Sequence, residues 1–132
     1  MMSRYMRVVA LLLLASLIAV AGCRSAPVQN VKNAPVNASK DNVTREDVRE
    51  AIIRAGTRLG WRMRKESSGH LIGTLNIRDH QAQVDIDYTT SDYDITYRDS
   101  RNLEYDGEQI HSNYNGWIQN LDKEIRNELL RI

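Results

Sequence analysis

Hydrophobic positions along this chain change their spacing five times. Val8 to Ala21 is apolar except for Ser16, with Leu11-Leu12-Leu13-Leu14 at its centre. From Arg24 to about Asn42 only isolated valines and alanines interrupt Ser25, Pro27, Asn30, Asn33, Pro35, Asn37 and Ser39. Such a stretch buries no core and predicts a flexible tether, with a root-mean-square reach of about 25 Å for roughly 20 residues. Val48, Ala51, Ile52, Ala55 and Leu59 then recur at helical spacing and predict one apolar stripe. Thr44-Arg45-Glu46-Asp47 has the form of a capping box at its start, and Gly60 supplies a stop.

From Trp61 the period becomes two. Trp61/Met63, then Leu71/Gly73/Leu75/Ile77, Ala82/Val84/Ile86/Tyr88 and Tyr93/Ile95/Tyr97 alternate with mostly polar neighbours. Turn-forming residues separate these segments at Ser67-Ser68-Gly69, Arg78-Asp79-His80-Gln81 and Thr89-Thr90-Ser91-Asp92. The pattern predicts a four-stranded antiparallel meander with one apolar and one polar face. Ser100 to Ile110 reads as an irregular return with a turn at Asp106-Gly107. Tyr114, Trp117, Ile118, Leu121, Ile125 and Leu129 predict a last helix from near Ser112 to about Arg131. The fold class is therefore α+β: one domain, an N-terminal helix, the meander and a C-terminal helix, with both helices on the apolar face.

The first apolar run has a different meaning. Arg4 and Arg7 precede it, and small residues lead from it into Cys23. At about 14 residues it is shorter than the roughly 20 that span a bilayer, so it predicts a removed secretory leader. Val20-Ala21-Gly22-Cys23 resembles the lipobox of bacterial lipoprotein precursors at every position. The resemblance implies diacylglyceryl transfer to the Cys23 thiol, cleavage before Cys23, and acylation of the new amino terminus. Cys23 is the one cysteine, so no intramolecular disulfide can form, and thioether attachment would consume its thiol. Two or more acyl chains hold a protein on a bilayer far more firmly than one. Arg24, rather than Asp, follows the cysteine, and by the sorting rule of that family this points to the outer membrane with the domain facing the periplasm. The expected organisation is 1–22 leader, 23–43 lipidated cysteine and tether, and 44–132 periplasmic domain. The segment from Tyr105 to Leu121 resembles small, largely uncharacterised proteobacterial outer-membrane lipoproteins, a likeness that carries no activity.

Charge and chemistry narrow the function classes. The leader holds two of the 18 basic residues and none of the 17 acidic ones, which leaves the mature chain at about −1 and without a bias toward nucleic acid. No G-x-S-x-G elbow or glycine-rich phosphate loop occurs, and His70, His80 and His111 lack the spacing of a zinc site. No enzyme, cofactor or metal is expected. Arg45, Arg49, Arg54 and Arg58 lie off the helix stripe; they suit lipid head groups or, more simply, a solvated face supported by Glu50 and Arg54. Pairing Tyr88 with Tyr93 puts Asp87 opposite Asp94 and Asp85 opposite Thr96, a repulsion to be offset by water, by Arg62, Arg64 and Arg78, or by Ca²⁺. Tyr105, His111, Asn115, Trp117 and Asn120 are candidates for an edge that reads a partner. The simpler reading has His111 and Ser112 capping the helix and the asparagines fastening the preceding return. The expected function is an interaction or accessory module in envelope assembly or maintenance, with an envelope protein or the cell wall as partner. The alternative is a small-ligand or lipid-binding cavity between sheet and helices, suggested by Gly73.

Overall fold

The computed structural model describes Met6 and residues 24–132, so the rest of the expected leader and Cys23 lie outside the described residues. The chain forms β1 (Ser25–Pro27), β2 (Val31–Pro35), α1 (Arg45–Arg58), β3 (Arg62–Ser67), β4 (His70–Ile77), β5 (His80–Tyr88), β6 (Asp92–Arg101), β7 (Gln109–His111) and α2 (Ser112–Leu130). β3 to β6 make the expected meander, and β2 adds antiparallel to β6, giving five strands in the order β2-β6-β5-β4-β3. β1 pairs with β7 as a separate two-stranded ribbon. The architecture is α+β, with one strand more in the main sheet than the alternation predicts.

That extra strand corrects the expected tether. Residues 25–35 carry two strands, and Val28, Val31 and Val36 pack against the core while Ala34 is buried within it. Asn33 sits in the left-handed region at φ 54°, where the β2–β6 register shifts. This bulge turns both Val31 and Ala34 inward although they are three residues apart, which hides the strand from a search for alternation. Proline and asparagine, read as marks of disorder, occupy an edge strand in which Pro35 ends the ladder.

α1 forms as its sequence dictates. The Thr44 hydroxyl accepts from the Asp47 amide (3.1 Å) while Asp47 accepts from the Thr44 amide (3.0 Å). Val48, Ala51, Ile52 and Ala55 are buried, and Gly60, at φ +90°, follows the last turn. α1 and α2 lie on the inward face of the sheet, where Leu71, Leu75, Ala82, Val84, Ile86, Tyr93 and Ile95 join Ile52, Tyr114, Ile118, Leu121 and Ile125 in one core.

The helices run antiparallel, so the fold has two ends. At one, α1 stops at Leu59, α2 begins after His111, and the Arg78-Asp79 turn joins β4 to β5. The 101–104 segment and Ser25 belong to the same end, because His111 donates its amide to the Leu103 carbonyl (2.9 Å), His80 Nδ1 lies 2.7 Å from the Asn102 carbonyl oxygen, and Ser25 is paired with His111. At the opposite end lie the Thr44 cap, the Ser68-Gly69 turn, the Thr89–Ser91 loop and the α2 terminus, where Ser39 and Lys40 donate to the Ile132 carbonyl. β2 and β3 are the outer strands of the sheet, and β3 exposes Arg62, Arg64, Lys65 and Glu66.

Candidate interaction surfaces

The candidate residues separate into four places. Asn115 is buried, its Nδ2 donating to the Pro27 carbonyl (2.9 Å) and its Oδ1 accepting from the Gln29 amide (3.0 Å). It fastens the link between β1 and β2, and not the preceding return. His111 caps α2 as the sequence predicts, with Nδ1 accepting from the Asn113 amide at 3.2 Å. Tyr105 lies on Tyr97 with ring centroids 4.1 Å apart, and Tyr97 meets Tyr114 edge-on at 5.7 Å. Burial raises the Tyr97 and Tyr114 phenols above their usual range.

Trp117 and Asn120 are brought together. With Leu59, Trp61, Leu75 and Ile77 they line an open hollow of about 70 Å³ where α1 stops and α2 begins. Leu59 and Ile77 are each 37 % exposed, so two residues expected in the core instead form the lip of an apolar surface patch. Each lies at the end of its element, where the layers open to solvent. The side chain missing at Gly73 leaves no cavity: a Cβ there would come within 3.1 Å of Met63 and Val84 and 3.3 Å of Trp61.

The opposite end is polar. One hollow of about 280 Å³ is lined by Asn33, Arg45, Ser68, Gly69, Asp87, Asp92 and Asp94, among others. A second, of about 170 Å³, lies beside it among Arg45, Glu46, Arg49, Lys65 and Ser68. Arg45 separates them and donates to Ser68 Oγ at 2.8 Å. Arg54 and Arg58 lie on an exposed face, as expected, and are ion-paired there. They pair with Glu128 at 3.2 and 3.0 Å, and Arg58 also with Glu124 at 3.3 Å, joining α1 to α2 in place of the expected Glu50 pair. Arg131 completes the set around Glu128 at 3.0 Å.

On the outward sheet face Asp87 stands opposite Asp94 and Asp85 opposite Thr96, as the alternation predicts. The compensation differs from expectation. Asp94 accepts from the Asn33 amide (2.7 Å) and meets Lys32 at 3.7 Å, both supplied by β2. Asp85 is held by Arg98 (2.9 Å) and His70 (2.7 Å), while Arg64 is taken by Glu66. The β5–β6 register shifts between Gln83 and Val84, and the extra residue it inserts is Arg98, aimed at Asp85. The His70–Asp85 pair escapes a reading by sequence spacing: the β4–β5 register puts His70 opposite Asp87, and the imidazole reaches diagonally to Asp85, which stands opposite Ile72. No nucleophile is bonded to His70 among the described residues, and no cluster of three or more metal-ligating side chains occurs there.

Comparison with protein-family models, curated proteins and solved structures finds no match to this chain.

Proposed function

We propose that this chain is an outer-membrane lipoprotein whose periplasmic domain is a non-catalytic interaction or accessory module for envelope assembly or maintenance. The observation that carries this reading is the Val20-Ala21-Gly22-Cys23 box behind a basic and apolar leader. Its physical logic is that acyl chains on Cys23 fix the protein to a surface, so a small domain needs only side chains that meet a neighbour. The apolar hollow at Trp117 and the charged hollows around Arg45 are surfaces of that kind. In this reading an envelope protein or the cell wall is the partner, and the domain carries no cofactor.

The test has two parts. Mass spectrometry of protein made with its leader in a Gram-negative host should find the amino terminus at Cys23 with a diacylglyceryl thioether. Photo-crosslinking in intact cells from Asp92 or Lys65, at the polar end, should then capture a discrete envelope protein or peptidoglycan. A bare Cys23 thiol, or the leader still attached, would refute the anchor; a lipidated protein that captures nothing would refute the interaction role.

A further inference from the structure

Resting on the lipid anchor proposed above, the position of β1 decides which way the domain faces. Ser25 is already paired with His111 in the β1–β7 ribbon. Only Arg24 stands between it and Cys23, and two residue steps of extended chain span about 7 Å. A free tether of roughly twenty residues would let the domain turn at random about 25 Å from the lipid. With the first strand beginning two residues after the acylated position, the end of the fold that carries Ser25 is held at the head groups.

That same end carries two exposed aliphatic residues, Leu59 and Ile77, which with the half-buried Trp117 surround the hollow where α1 stops, the β4–β5 turn lies and α2 begins; another, Leu130, lies at the opposite end. Three exposed arginines, Arg24, Arg78 and Arg101, lie in the same region, with no ion pair to any described residue. The acids near it are Asp79, which meets His80 at 3.5 Å and accepts from Asn102, the exposed Asp99 and Glu104, and, ahead of β7, the exposed Asp106 and Glu108. An indole with aliphatic neighbours and free guanidinium groups is the chemistry that settles at a bilayer interface, where rings lie at head-group level and cations meet phosphate. We infer that Trp117, Leu59 and Ile77 form a membrane-contacting surface that docks this end of the domain on anionic phospholipid and turns the Arg45 and Asp92 end outward.

The inference is tested on the full-length, lipidated protein in vesicles of phosphatidylethanolamine and phosphatidylglycerol containing a shallow nitroxide-labelled lipid. A bimane label is placed at Ile77→Cys, on the docking end, or at Thr90→Cys, on the far loop. The expected result is several-fold stronger quenching at position 77 than at position 90. In the unlabelled protein, tryptophan emission should be quenched and the quenching lost in Trp117→Phe, because Trp61 is only 3 % exposed; this second readout does not depend on either cysteine variant folding. The mass of each sample is measured first. A bare Cys23 would overturn the anchor and this inference together. A lipidated protein quenched equally at both positions, or at neither, would overturn the docking surface while leaving the anchor intact.

Discussion

The carboxamide of Asn115 is bonded to the Pro27 carbonyl across 88 residues of sequence. Its other side receives the Gln29 amide, so one buried side chain on α2 satisfies two backbone groups between β1 and β2. Truncating it strands both groups, at a cost of about 1–3 kcal/mol. Asn115→Ala should lower stability by that amount. Hydrogen exchange should speed up first in residues 25–31, before the β4–β5 ladder. Uniform acceleration across the sheet would contradict this account.

Glu128 is 3 % exposed and meets three arginines that are each about half exposed. The arrangement is asymmetric. Removing one arginine leaves two to hold the carboxylate, so Arg54→Ala should cost less than about 1 kcal/mol. Glu128→Ala removes a charged acceptor common to all three and should cost about 2 kcal/mol. Arg54→Ala with Arg58→Ala should cost more than the two single changes added, because the buried carboxylate then loses its partners on α1. Urea titration of the four variants measures the order.

Tyr114 presents the reverse case. Its ring is fully buried, and its hydroxyl has no hydrogen-bond partner among the described residues. An orphaned hydroxyl is unfavourable in an apolar interior. Tyr114→Phe keeps the edge contact with Tyr97 and should leave stability unchanged or raise it by up to about 1 kcal/mol. A loss greater than about 1 kcal/mol in thermal or chemical denaturation would mean the hydroxyl has a partner.

Asp47 links stability to pH. The Lys40 ammonium at 2.8 Å, helped by the Thr44 amide and hydroxyl, lowers its carboxyl to about 2. Since the folded state holds this group below its ordinary value of 3.8, its contribution is complete above pH 4 and is lost as pH falls toward 2. Asp47→Asn should therefore melt below the parent protein at pH 7, with the gap closing as the pH falls from 4 to 2. A gap of constant size over that range would assign the effect to the cap alone.

Much of the fold is legible because period two and period 3.6 are each maintained over several turns or strands. The Thr44 box, the α2 stripe and the Asp87–Asp94 opposition follow from spacing. What escapes does so for local reasons. Asn33 breaks the alternation of β2 with a bulge, and three-residue β1 and β7 are too short to show a period. Glu128 sits on α2 as one acid among several, and its burial follows only from how α1 crosses it. Likewise Trp117 and Asn120 read as candidates from the sequence, but Leu59 and Ile77, which complete their hollow, read as core.

The two flanks of the sheet bear on behaviour at high surface density. β2 carries Pro35 and a kinked main chain, and β3 sets out Arg62, Arg64, Lys65 and Glu66 along its open side. Neither flank is a template for strand addition. Copies crowded side by side, as the proposed anchor would hold them, would thus resist edge-to-edge fusion and fibril growth, and would meet their neighbours through side chains rather than shared backbone ladders.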